Sequence, residues 1–348
     1  HVCTQKGKGY TYAEENPHVF HGIAPFEVET GEVISHGGPG YSEIFGRELS
    51  KIANVDDRVV AISAAMPHGT GLELFSKKFP DRFFDVGIAE QHAVTFSAGL
   101  ARNGIKPVVA LYSSFLQRAY DQVLHDVALQ KLHVVFAIDR AGIVGEDGET
   151  HQGIYDISFL SHIPNMTILA PCDYTDFTKM LKFAVEEYNG PIAIRYPRGR
   201  GADKLIDTPP IMYGQSILVR EGSDVTIAAI GNKLETALNV ADMLEKKDIS
   251  CDVIYARFIK PVDTKLILNS AIKTRRVITI EDNAVTGGFG SLVLETMNQK
   301  GINIKTKMFG YPDQFIPHGS KNELQNLYRL DEQSIVNDVL RIVNKSRV

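Results

Sequence analysis

Cysteine is scarce in this 348-residue chain, and its three copies are badly placed for pairing. Cys3, Cys172 and Cys251 are widely separated and form no C-x-x-C, which excludes a disulfide framework or zinc knuckle and leaves buried or idle thiols. No apolar run approaches the roughly 18 residues that span a bilayer, and no signal peptide is visible, so the sequence reads as cytoplasmic with no membrane partner. Neither sign of charge dominates: 37 Lys and Arg against 42 Asp and Glu give a net charge of -5, and no nucleic acid is expected. Short-period repeats, low-complexity tracts, G-x-G-x-x-G and P-loop motifs are missing too.

What remains is an ordinary globular composition, 44% hydrophobic and 23% charged, in a chain long enough for two domains. The first forty residues have little helical period and end in the breaker cluster Ser35-His36-Gly37-Gly38-Pro39-Gly40. Helices and strands then alternate: helix 42–53, strand 58–62, helix 90–103, strand 106–111, one long helix 113–132, strand 133–138, helix 173–188, strand 192–196. After Pro209-Pro210 the alternation resumes, with strands 224–230, 252–257 and 276–281 and helices 234–247, 264–273, 291–300 and 332–343. Strand, helix, strand in this order predicts α/β architecture, two α/β domains with mostly parallel sheets.

The most informative stretch is Asp85-Val86-Gly87-Ile88-Ala89-Glu90-Gln91-His92-Ala93-Val94. It sets Glu90 at a strand-to-helix junction followed by small residues, Ala93, Ser97, Ala98 and Ala101, that let another segment approach closely. A poorly solvated glutamate there should have a raised pKa and deliver a proton near neutral pH. Thiamine diphosphate is a cofactor that needs such an acid, because its aminopyrimidine must be protonated before its thiazolium carbon reacts. Taken alone, Glu90 also suits the plainer role of complementing a helix dipole.

Three further places carry candidate chemistry. The loop Asp139 to Gly153 leaves a hydrophobic strand at the end where parallel sheets bind ligands, and it gathers Arg140, Asp147 and His151 among four glycines. Arg198, framed by Pro197 and Gly199, offers the planar fork that grips a phosphate. His21 titrates near cellular pH. Gly287-Gly288-Phe289-Gly290 opens a helix, and packing explains it better than nucleotide binding.

Glu90 with its flanks, Phe115 to Gln130 and Asp139 to Gly153 together resemble the 1-deoxy-D-xylulose 5-phosphate synthase family, thiamine diphosphate enzymes related to transketolase, and the resemblance runs over nearly all of the chain. It implies that Phe115 stacks on the aminopyrimidine with Arg118 beside it and that Glu90 protonates that ring. Lys6 faces the diphosphate, Tyr112, Arg140 and Asp147 line the substrate pocket, Arg198 binds the phosphate of D-glyceraldehyde 3-phosphate, and His21 and His151 exchange protons with the reacting carbonyls. Pyruvate is the second substrate. By the same resemblance 1–40 is the remnant of an amino-terminal diphosphate-binding domain with a linker, 41–200 the pyrimidine-binding domain, 201–222 a linker, and 223–348 the transketolase-type carboxy-terminal domain, a scaffold given no catalytic residue. The Mg2+ of such enzymes is held by a Gly-Asp-Gly motif, which this chain does not contain, so its ligands are expected in a missing amino-terminal domain. A homodimer is implied as well. Two alternatives stay open, the beta subunit of a 2-oxo acid dehydrogenase and a non-catalytic dimerisation module.

Overall fold

The computed structural model describes residues 1–17, 19–21, 23, 25–34 and 37–344, and the chain divides into two compact units, His1–Pro39 and Gly40–Val348. In the first, the helix Thr11–Glu15 and the 3-10 turn Val19–His21 are gathered by an aromatic cluster. The Tyr10 ring lies 5.5 Å from both Tyr12 and Phe20 and 5.9 Å from Phe26. Four rings thus supply the packing that a chain this short lacks in aliphatic side chains.

The second unit contains two mostly parallel sheets. The strands in chain order are β1 Val59–Ser63, β2 Phe83–Asp85, β3 Lys106–Tyr112, β4 Val135–Asp139, β5 Thr167–Leu169 and β6 Ile192–Arg195, followed by β7 Ile217–Arg220, β8 Val225–Ala229, β9 Cys251–Tyr255, β10 Phe258–Lys260, β11 Arg276–Ala284 and β12 Lys305–Tyr311. The first sheet runs β10-β5-β6-β4-β3-β1-β2 and the second β12-β11-β8-β9-β7. Every residue of β1, β4, β8 and β9 is buried, as expected of strands covered by helices on both faces. Each sheet has one antiparallel edge strand: β10 on β5, and β7 on β9.

Two expectations change. The stretch 113–132 is not one α-helix: Ser113–Leu116 is α, Gln117–Ala119 3-10, Tyr120–Gln122 α, and Val123–Ala128 a π-helix. The tight 3-10 turn nearly eclipses residues three apart, which brings Arg118 over the same side as Phe115. Within 201–222, read as linker, Ile217–Arg220 is a strand that pairs with β9. Strand β10 follows β9 of the second sheet in sequence but borders the first, as the edge strand beside β5.

Register decides where chemistry can sit. Tyr112 pairs with Asp139 across β3 and β4, Ser63 with Asp85 across β1 and β2, and Ile138 with Arg195 across β4 and β6. Polar residues therefore collect at the carboxyl ends of the strands. The order β2-β1-β3-β4 places a topological switch point between β1 and β3, where such sheets open a crevice.

Candidate active site

At that crevice the helix Glu90–Arg102 starts without a side-chain cap, because its N-cap residue is Ala89, and its first residue Glu90 is buried. Glu90 is only 2% exposed. Ala93, Val94, Ser97 and Ala98 are buried on the same helix, small enough to seat it against β3. Arg118 donates from Nη1 to Glu90 Oε1 at 3.0 Å, and among the described residues the carboxyl accepts from no other group. The poorly solvated acid expected from sequence is thus buried and accompanied by a guanidinium.

From this pair an aromatic shelf extends. The Arg118 guanidinium carbon is 5.3 Å from the centre of the Phe115 ring. Phe115 stacks on Tyr112 at 5.5 Å with the planes 27° apart, and His151 meets Phe115 edge-on at 5.3 Å. His151 Nδ1 is 2.9 Å from Thr150 Oγ1. Burial pushes the Tyr112 hydroxyl up to about 12, so it stays protonated and serves as a neutral wall.

Tyr112 also carries Arg140, whose guanidinium carbon lies 3.8 Å from the ring centre. Arg140 adopts φ 57°, a strained left-handed backbone for a side chain of that size. What holds it there is Asp139, a buried carboxyl that accepts from Arg140 N at 2.7 Å and from Ser42 Oγ at 2.6 Å. Burial raises Asp139 to about 6 despite the neighbouring arginine. Arg140 Nη1 donates to Gly69 O at 3.1 Å, tying the β1 and β4 loops together.

Asp147 then bridges two arginines, with Arg140 Nε 3.3 Å from Oδ2 and Arg198 Nη2 3.2 Å from Oδ1. Arg198 Nη1 donates to Val144 O and to Glu146 Oε2, both at 3.1 Å. An unbroken series of contacts consequently joins Glu90, Arg118, Phe115, Tyr112, His151, Arg140, Asp147 and Arg198. Lys6 and His21 lie in the first unit; Lys6 is exposed, and the side chain of His21 falls outside the described residues.

Sequence reasoning missed the support behind this series. Lys321, from the region read as scaffold, donates from Nζ to Arg198 O at 2.7 Å, and burial depresses its pKa. Asp282, on β11, accepts from Ile143 N at 3.4 Å, and Gly142 (φ 85°) has no room for a Cβ because that carboxyl fills the space. Arg195 forks onto Asp156 at 2.7 and 3.2 Å and donates to Asp282 O at 3.0 Å. The second layer therefore fixes both segments that carry the two arginines, the loop after β4 through Asp282 and the turn after β6 through Lys321. Gly287-Gly288-Phe289-Gly290 has an internal carboxyl: Glu281 accepts from Phe289 N at 2.7 Å and Gly290 N at 2.9 Å, which makes it a packing device.

Among the described residues no helix is long and apolar enough to cross a membrane, and no group of three or more His, Cys, Asp or Glu is arranged to hold a metal ion.

Comparison with known proteins accords with this geometry. The family model described as transketolase, pyrimidine binding domain, matches residues 38–202, and that of the transketolase C-terminal domain matches 214–335. The chain is 51% identical over 352 residues to 1-deoxy-D-xylulose-5-phosphate synthase of Heliobacterium modesticaldum, covering 100% of this chain and 54% of the relative. It is 52% identical over 339 residues to the like-named protein of Desulforudis audaxviator, covering 97% of this chain and 53% of that one. It is similar, at 30% identity and a TM-score of 0.79, to a solved structure described as a split gene transketolase, inactive beta4 tetramer, covering 88% of this chain and 99% of the other. The chain spans about half the length of the curated relatives it matches.

Proposed function

Since the chain belongs to the transketolase family, we propose that it forms the pyrimidine and substrate side of a thiamine diphosphate enzyme that joins pyruvate to D-glyceraldehyde 3-phosphate, with loss of carbon dioxide, to give 1-deoxy-D-xylulose 5-phosphate. The observation that carries this reading is the buried Glu90 carboxyl, hydrogen-bonded through one oxygen to Arg118 and set beside the Phe115 shelf.

These residues fit the cofactor's aminopyrimidine. A flat heterocycle needs an aromatic surface, a carboxyl for its ring nitrogen and a dry setting; Phe115 with Tyr112 offers the first and Glu90 the other two. Bound there, thiamine diphosphate would supply the carbon nucleophile that attacks a 2-oxo acid and accepts the electrons released with carbon dioxide. Glu90 holds a proton at the ring nitrogen, and Arg118 fixes the orientation of its carboxyl. Tyr112 and Phe115 exclude water from the reacting region. His151 reaches the substrate carbonyl as a proton exchanger, a role shared with His21. Arg140 and Arg198 attract the anionic ends of the substrates, Arg198 taking the phosphate of the aldehyde. Lys6 faces the cofactor diphosphate. The magnesium ion and its Gly-Asp-Gly motif belong, on this reading, to an amino-terminal domain or partner polypeptide outside these 348 residues.

The neighbour described as a split gene transketolase in an inactive beta4 tetramer, 99% of which is matched by 88% of this chain, supports a further part of the proposal. Alone, this chain self-associates without turning over; with its complementary half it becomes an enzyme. Mixing the two halves with thiamine diphosphate, Mg2+, pyruvate and D-glyceraldehyde 3-phosphate should release carbon dioxide and yield the five-carbon product. Acyl transfer to a lipoyl group in place of that product would instead select the 2-oxo acid dehydrogenase reading.

A further inference from the structure

Carboxylates of the chain itself engage the guanidinium that the preceding section gives to the substrate. Arg198 Nη1 lies 3.1 Å from Glu146 Oε2, while Nη2 lies 3.2 Å from Asp147 Oδ1. The fork is engaged as it would be by two oxygens of a phosphate.

The two carboxylates are not equivalent. Asp147 is 25% exposed and shared with Arg140, so two guanidinium groups hold it. Glu146 is 64% exposed and, among the described residues, has Arg198 as its one hydrogen-bond partner, with the Lys321 charge also nearby. An exposed pair of this kind is weak and readily exchanged. The arginine itself cannot follow a departing carboxylate, because Lys321 fixes its carbonyl and Val144 O accepts from its Nη1.

Resting on the phosphate reading of Arg198, we propose that Glu146 is a specificity-determining residue: its carboxylate stands in for the substrate phosphate on Arg198 and must be displaced by it, which favours dianionic phosphate over singly charged carboxylates. Charge decides the outcome. A phosphate monoester carries about -1.5 to -2 at neutral pH, more than the single charge it removes. A free monocarboxylate would exchange like for like, and it loses to a tethered copy whose effective concentration is on the order of millimolar or higher. The carboxylate of a 2-oxo acid is thereby kept off the arginine reserved for the aldehyde's phosphate.

Calorimetric titration of the 348-residue chain with inorganic phosphate and, separately, acetate tests this in the wild type, E146Q, E146A and R198A. Both Glu146 variants should bind phosphate about two- to fivefold more tightly than the wild type and show a smaller preference for phosphate over acetate. Phosphate affinity that is unchanged, weaker or unmeasurable in E146Q and E146A, with their melting temperatures intact, overturns the role of Glu146. R198A separates the two layers of the argument. If it loses phosphate binding while E146Q matches the wild type, only the Glu146 proposal fails; if it binds phosphate as the wild type does, the reading of Arg198 fails as well.

Discussion

Each α/β layer buries one glutamate beside the start of a helix, and the two are treated in opposite ways. In the second layer both oxygens of Glu281 are closed off by the backbone N–H groups of Phe289 and Gly290. In the first layer Glu90 is almost equally buried, yet a single oxygen is engaged, by a guanidinium at 3.0 Å. The arginines repeat the contrast: Arg195 is 4% exposed and forked onto Asp156, whereas Arg198 is 35% exposed and held partly by an exposed carboxylate. A group whose valences are all met inside the fold serves the fold, and one left with a free position at a crevice is available to a ligand.

The comparison can be broken at four points. The largest effect should come from Glu90→Ala in the assembled enzyme, lowering kcat about a hundred- to ten-thousand-fold with little change in melting temperature. A variant that turns over normally would dissolve the contrast at its centre. Arg195→Ala should do the reverse, destabilising the fold by about 3–5 kcal/mol by stranding buried Asp156, as read from denaturant midpoints. Arg198→Ala should instead raise KM for glyceraldehyde 3-phosphate at least about tenfold while pyruvate decarboxylation without acceptor stays near normal, since a charged hydrogen bond pair is worth roughly 1.5–3 kcal/mol.

The smallest and sharpest test is electrostatic. Burial lifts Glu281 from 4.5 to about 8, so the folded chain holds a proton that the unfolded chain releases between those values. That contribution to stability is complete below about pH 4.5 and disappears as pH rises through about 8. Glu281→Gln, which cannot titrate, should therefore show a shallower fall in melting temperature across this window than the wild type. Parallel curves would place the proton elsewhere, Asp139 being the next buried carboxyl raised by desolvation.

Most long elements were legible in the sequence because burial imposes a period on them, the seven-residue, half-exposed β12 being missed. The helix expected at 90–103 spans Glu90–Arg102, and the strand expected at 106–111 spans Lys106–Tyr112. Three-residue β5 and β10 escaped notice, since so short a strand is defined by its neighbours and not by its own pattern. The change from α to 3-10 to π between Ser113 and Ala128 left no mark either, because hydrophobic spacing at 3, 4 or 5 residues looks alike over one turn. At the site, Glu90, Phe115, Arg118 and the Asp139 to Gly153 loop stood out through their local motifs. Asp282 and Lys321 did not, for their partners Ile143 and Arg198 lie far away along the chain. Asp139 was read as the start of a loop, although its carboxyl fixes the backbone of Arg140.

The border that β10 provides for the first sheet has a bearing on how such a polypeptide can be divided. Phe258–Lys260 comes after three strands of the second sheet in sequence but pairs with β5, so scission at Pro209-Pro210 would remove that strand from the piece that needs it. The amino-terminal fragment would then present an open row of backbone donors and acceptors, a template for aggregation. Engineered fissions and circular permutations should accordingly keep residues 41–260 on a single strand of polypeptide.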